Sequence, residues 1–370
     1  MKKNKILYIS GDGVTSTKQK WKIYFNYFDQ LGFLKNYIYS KNFNTNGNKC
    51  DILNFSFQLK HLSIIYKLES HYILGATFLR HSVNLLIRSI IRMIIYRKIK
   101  TNLYSLIIFS DNLFFIEPEL IKNIKRITSA KIILFSNISP HNLLPDIEKA
   151  CVPDYDIIFI SDSGHRMEWK ELGAKKIINL PISAACPETF NNILYKNDCQ
   201  KIYEVTFVGR LDNLHHHRLE TLNYLVSQGV QLNIWTWDLS KEYLLKFPLL
   251  EPALRGNAYG KEMVRVFAQS KIILNIHILS QPLGGNLRLF EIPATKSLQI
   301  ADKCPQDWFK DGDEIVLYKD NQDLLQKINY FIDNDEERER IAKNGYEKLV
   351  SKHQYKHRVK KIFESISIIG

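Results

Sequence analysis

Short β-branched runs separated by helical stretches recur along this chain, and that alternation limits its fold more than any other feature. KILYISG (5–11), CDILNFSF (50–57), LYSLIIFS (103–110), AKIILFS (130–136), YDIIFIS (155–161) and KKIINLP (175–181) are continuous apolar runs, several closing on Gly, Ser or Pro. A strand covered on both faces reads as such an unbroken run, whereas a half-exposed strand alternates apolar with polar residues. Segments of helical spacing such as PELIKNIKRITS lie between the runs. Strand–helix–strand repetition of this kind predicts an α/β fold built on parallel, doubly wound sheets.

The series then restarts with IYEVTFVG (202–209), QLNIWTW (231–237), KIILNIH (271–277), SLQIAD (297–302) and EIVLY (314–318). Between the two series, CPETFNNILYKNDCQK (186–201) loses apolar density and periodicity. We therefore expect an N-terminal Rossmann-like domain over 1–190, a C-terminal one over 191–351, and a closing helix over 352–370 packing back on the first domain. Ligands of such folds bind outside the carboxyl ends of the strands. The expected site is thus a cleft where two such sheets face each other.

Five cysteines with no C-x-x-C pair indicate neither a disulfide framework nor a zinc site, which fits a reducing cytoplasm. The opening MKKNKILYISGDG reads as a first strand and turn, since its apolar run is too short for a leader peptide. The net charge of +13 belongs to the first half: residues 1–190 carry 26 basic against 15 acidic side chains, and residues 59–100 carry eight against Glu69 alone. VNLLIRSIIRMIIYRKIK (83–100) sits inside this basic stretch. It reads either as a basic amphipathic helix lying peripherally on the inner, anionic face of a membrane or as a covered helix of the first domain. No helix-turn-helix, zinc-finger or RNA-recognition signature accompanies the charge, so nucleic acid is not an expected partner.

GGNLRLFE (284–291) is the most informative short stretch. Gly284 and Gly285 permit close approach of a ligand, and Asn286 is a good cap for a helix whose first amides would face an anion. Arg288 and Glu291, three apart, share one face, opposite Leu287, Phe290 and Ala294. A guanidinium pairs with phosphate, and a carboxylate accepts two hydrogen bonds from a sugar diol. An ordinary surface Arg–Glu pair is the competing reading.

From here to its end the chain resembles glycosyltransferases of the group 1 type, in particular the spore-maturation-protein-like branch. N-x-R-x-F-E, then G-x-E-I-V, D/N-x-x-E-R-E-x-I-A and H-x-Y-x-H-R follow in that order, and all four are present. The likeness extends back through VTFVGRLDNLHHHRLETLNYL and YDIIFISDSGHRMEWKELGAKKIINLPISAACPETF to SNISPHN, roughly residues 130–365 in all.

The resemblance implies a GT-B architecture, with a nucleotide-sugar donor on the C-terminal domain and a glycan or lipid-linked acceptor on the N-terminal one. Glu291 matches the second Glu of the family 4 E-x7-E motif, which binds the nucleotide ribose; Leu283 stands where the first would fall. Gly284, Gly285 and Asn286 match the loop whose amides contact sugar and phosphate. Arg210 matches the first diphosphate-binding basic residue, and the second falls on His216 or Arg218, with Arg218 favoured because it is always charged. His141 matches a histidine that contacts the donor sugar or handles its leaving phosphate; a structural loop histidine is the other reading. Gly11 and Gly13 form a glycine turn after the first strand where a diphosphate can approach.

Sugar transfer places positive charge on the anomeric carbon and negative charge on the departing diphosphate. The D-x-D pairs at Asp154/Asp156, Asp311/Asp313 and Asp333/Asp335 read as turn residues and caps, and His215–His217 point in different directions. Arginines are therefore expected to carry the phosphate charge, with no cofactor and no metal; the likeness to family 4 implies a retaining reaction, with inversion left open by Leu283 in place of the first Glu. A non-catalytic nucleotide- or sugar-binding partner subunit of the same fold is the alternative function.

Overall fold

The computed structural model describes residues 6–10, 50–54, 89–110, 116–136, 138–181, 184–185, 187–212, 215–237, 239–279 and 283–367. The chain divides into two compact units between Ile182 and Ser183, and the residues from Ile362 onward group with the first. Each expected apolar run is a strand.

The first unit holds a six-stranded sheet: β1 (Ile6–Ser10), β2 (Cys50–Asn54), β3 (Leu106–Ser110), β4 (Lys131–Ser136), β5 (Ile157–Ile160) and β6 (Ile177–Asn179). The spatial order is β2-β1-β3-β4-β5-β6 and every pairing is parallel, in registers such as Ile6↔Leu106 and Ile133↔Ile157. All four residues of β5 and five of six in β4 are buried, so these strands need no alternation. Helices α1 (residues 89–100), α2 (Pro118–Ile127) and α3 (Arg166–Glu171) belong to this unit. Pro118 at the start of α2 gives up an amide that has no intrahelical partner anyway, and Lys125 and Arg126 in its last turn suit the negative end of the helix dipole. Leu120, Ile121 and Ile124 are the face that it buries.

In α1, Ile91, Ile95 and Ile99 are in the core, which takes up the apolar stripe. Arg92 pairs with Glu117, while Met93, Arg97 and Lys100 are exposed. Arg88 and the rest of the segment before residue 89 lie outside the described residues.

The second unit holds β7 (Tyr203–Val208), β8 (Leu232–Trp235), β9 (Ser270–Asn275), β10 (Leu298–Ala301) and β11 (Val316–Leu317), in the order β11-β10-β9-β7-β8, again all parallel. Its helices include α4 (His216–Ser227), α5 (Arg288–Glu291), α6 (Asp335–Lys352) and α7 (Tyr355–Ser367), the last of which ends among residues of the first unit. The order reverses between β7 and β9, whose following loops therefore leave in opposite directions. A crevice opens at such a switch point, at the carboxyl ends of the strands.

Candidate functional site

Polar side chains gather at this switch point in the second unit. β9 ends at Asn275, and the turn to His277 follows; β10 is followed by Asp302; β7 is followed by Gly209 and Arg210, then by the start of α4. Asn275 and Asn286 exchange two amide hydrogen bonds, of 2.7 and 3.1 Å, which tie the glycine turn to the strand end. The Asn286 side chain also accepts from the Leu289 amide at 3.3 Å.

Two expectations about this turn change. The helix begins at Arg288 with Leu287 in the cap position and spans four residues before Pro293 and a 3-10 turn. So short a helix has little macrodipole, and an anion there would meet side chains instead of a helix dipole. Leu289, with Phe290, occupies the core, while Leu287 is half-buried. Gly285 has a structural reason of its own: a Cβ there would collide with Leu289 Cδ1 and stand 2.7 Å from Trp308 Cζ3.

Arg288 and Glu291 do share a face and are paired through Arg288 Nη1 and Glu291 Oε2. This is not a surface pair, because Glu291 is 2% exposed. Burial pushes its carboxyl above the usual range, and Arg288 opposes that. Its second oxygen, Oε1, is buried with no hydrogen-bond partner. Arg288 also lies over the Phe267 ring, with Cζ 5.4 Å from the centroid.

Arg210 is largely exposed and pairs with Asp212 at 3.3 Å. Arg218 is buried, donates from Nη1 to the Arg210 carbonyl at 3.0 Å, and keeps a buried Nε without a partner. Burial lowers its pKa to about 10; Asp302 pulls upward and Arg288 adds to the lowering, which puts both within electrostatic reach. Two further residues of the site escaped the sequence reading. Asp302 accepts from the His277 amide at 3.1 Å and faces His277 Nδ1 at 2.5 Å, while His277 Nε2 is buried and unpartnered. Their signal was available: both are polar residues just past the end of a buried strand.

The three consecutive histidines diverge. His215 bonds Asp212 at 2.6 Å, His216 lies 3.4 Å from Glu220, and His217 meets the His277 carbonyl at 2.7 Å. Among the described residues no three metal-ligating side chains converge. Asp156 accepts from the Ile132 amide, Asp311 from the Leu317 amide, and Asp313 and Asp335 pair with Arg340 and Arg338. These acids serve turns and helix surfaces.

In the first unit, His141 is exposed on the helical turn Pro140–Leu143, 3.5 Å from Glu171. Glu168 of α3 holds that turn: it accepts from Ser139 Oγ at 2.6 Å and the His141 amide at 3.3 Å, and contacts His165 Nδ1 at 2.7 Å. Gly11 and Gly13 lie outside the described residues.

Residues 217–364 match the model of a family described as glycosyl transferase-like. Comparison with curated proteins finds no match. Among solved structures, a glycosyltransferase from Rickettsia africae is similar at 14% identity and TM-score 0.64, over 98% of each chain. Anabaena Alr3699/HepE, solved with UDP-glucose, is similar at 11% identity and TM-score 0.58, over 98% of this chain and 99% of that one. A mutant of S. aureus TarM, solved with Fondaparinux, alpha-GlcNAc-glycerol and UDP, is similar at 13% identity and TM-score 0.52, over 72% of this chain and 57% of that one. At these identities the likeness is one of fold. The chain thus has the GT-B fold, and residues 217–364 form its glycosyl transferase-like part.

Proposed function

We propose that this protein is a glycosyltransferase that takes its sugar from a uridine diphosphate donor bound at the β7/β9 switch point and passes it to a glycan or lipid-linked acceptor, with retention and without a metal ion. The observation that carries the reading is that three residues which follow the strand ends at this switch point keep buried polar atoms without partners: Glu291 Oε1, Arg218 Nε and His277 Nε2. A fold tolerates such atoms at a cost of about 1–3 kcal/mol each, more for a charged group, and a polar ligand that reaches them recovers it.

Glu291 is the acceptor for the ribose hydroxyls, and Arg288 steadies the carboxylate. Arg210, Arg218 and Arg288 face the diphosphate, whose charge grows as the anomeric C–O bond breaks; fixed cations stabilise that growth without reorganisation. Gly284, Gly285 and Asn286 let the sugar and phosphate come close. His141, on the turn held by Glu168, handles the leaving phosphate. The order of motifs from Asn286 to Arg358 supports the spore-maturation-protein-like branch. UDP is chosen because the Anabaena neighbour was solved with UDP-glucose. No described helix is long and apolar enough to cross a membrane. With Ile91, Ile95 and Ile99 in the core, α1 meets an anionic surface through its basic side chains, of which Arg97 and Lys100 are exposed. Calorimetry with UDP, followed by donor turnover with candidate sugars, tests the reading; a folded protein that binds no nucleotide refutes it.

A further inference from the structure

Phe290 belongs to the same four-residue helix as Arg288 and Glu291, but its ring enters an aromatic block behind them. The ring lies 5.4 Å from Trp308, 5.9 Å from Phe309 and 5.5 Å from His353, centroid to centroid, and Arg358 Cζ stands 5.3 Å from it. Trp308 also packs where a side chain at Gly285 would have to go. The two ends of the turn 284–291 therefore rest on the same block: Gly285 on Trp308, and α5, through Phe290, on all four groups.

What locks that block comes from the end of the chain. His353 and Arg358 are both buried. His353 Nε2 is 2.9 Å from the Trp308 carbonyl, and His353 Nδ1 is 3.0 Å from Arg358 Nη2. A guanidinium can only donate, so Nδ1 is the acceptor and Nε2 carries the proton it gives to Trp308. The imidazole is thereby held neutral, in one tautomer and one orientation. Arg358 donates again to the Lys352 carbonyl at 3.3 Å, which ties the guanidinium to the last turn of α6.

We infer that His353 and Arg358 form a positioning couple for the donor-holding turn: by fixing the Trp308 backbone and the face of Phe290 they set where Gly285, Arg288 and Glu291 stand. A part that merely stabilised the C-terminal helix would have no reason to reach both the Trp308 carbonyl and the Phe290 ring. What the turn holds is taken from the proposed function; that it is positioned from behind is independent of it.

The test uses the full chain with Arg358→Lys, which keeps the charge but not the fork, Arg358→Leu, and His353→Gln. Arg338→Leu is the control, since Arg338 is an equally buried arginine of the same unit that donates to Phe331 rather than toward the turn. Two quantities are measured: amide exchange across residues 284–291 without nucleotide, and UDP affinity by calorimetry. Exchange in the turn should rise about tenfold in the Arg358 and His353 variants and stay unchanged in the control, because local opening is read by exchange separately from global stability. UDP affinity should fall about fivefold or more in the same variants, a loss calorimetry resolves easily. Unchanged exchange in the turn, or an equal rise in the control, overturns the inference. So does failure of all three variants to fold while the control folds, since the couple would then hold up the fold rather than the turn. If exchange responds as expected but the unmodified protein binds no UDP, positioning stands and the nucleotide reading falls.

Discussion

Arg288 grips one oxygen of Glu291 from one helical turn away, and the other oxygen of that carboxylate is buried with nothing to bond to. An i,i+3 pair on a surface would have both its ends in water. Here the acid is withdrawn from water and only half satisfied, an arrangement that costs stability unless a donor arrives. Two hydroxyls on adjacent carbons are such a donor.

Replacing Glu291 by Gln keeps the shape and an acceptor but removes the charge. Donor affinity should drop about tenfold or more, as for loss of a hydrogen bond to a charged group worth roughly 1.5–3 kcal/mol. Calorimetric titration of the folded variant with UDP measures this, and wild-type affinity would reject the ribose assignment.

His353 carries a pH dependence of stability. Burial first, then Arg358, lowers its pKa from 6.5 to about 3. The unfolded chain therefore binds a proton that the folded one refuses, so stability is full above about 6.5 and is lost as pH falls toward about 3. Between pH 7 and pH 4.5, wild type should lose on the order of 2 kcal/mol more than His353→Phe, at about 1.4 kcal/mol per pH unit. Urea unfolding at the two pH values gives the difference; equal losses would mean that His353 is not the titrating group.

Gly345 lies within α6, where alanine would normally add up to about 1 kcal/mol of helix stability. A Cβ at this position would stand 2.5 Å from the Glu314 carbonyl oxygen, a backbone atom that cannot swing away. Gly345→Ala should therefore destabilise by about 1–3 kcal/mol, the usual range for overpacking. A stabilised variant in denaturant unfolding would show that α6 shifts freely against the loop before β11.

Turnover should survive EDTA, because the phosphate charge is assigned to Arg210, Arg218 and Arg288. Activity abolished by chelator and restored by magnesium would move that charge to a cation.

Contact of α1 with an anionic surface should be electrostatic only. Vesicle binding at low salt should vanish by about 0.5 M salt, where the Debye length is a few ångströms, and weaken in Arg97→Gln/Lys100→Gln. Binding that persists in high salt would mean that apolar residues other than Ile91, Ile95 and Ile99 insert.

Both sheets were legible in the residue pattern, because a strand buried on both faces must be apolar throughout and its neighbours in the chain must cover it. KILYISG and KIILNIH announce themselves by composition. GGNLRLFE was legible as a tight turn leading into a paired Arg288 and Glu291, since glycine, a polar cap and an i,i+3 Arg–Glu pair are local signals. Other features depended on contacts between residues far apart in the chain. Asp302 joins His277 across 25 positions, and Arg358 reaches a ring at Phe290. Neither contact leaves a trace in the spacing of either residue. The burial of Glu291 is of the same kind: the sequence could place it beside Arg288, but only the packing of α5 against its surroundings removed its carboxylate from water and left one oxygen waiting.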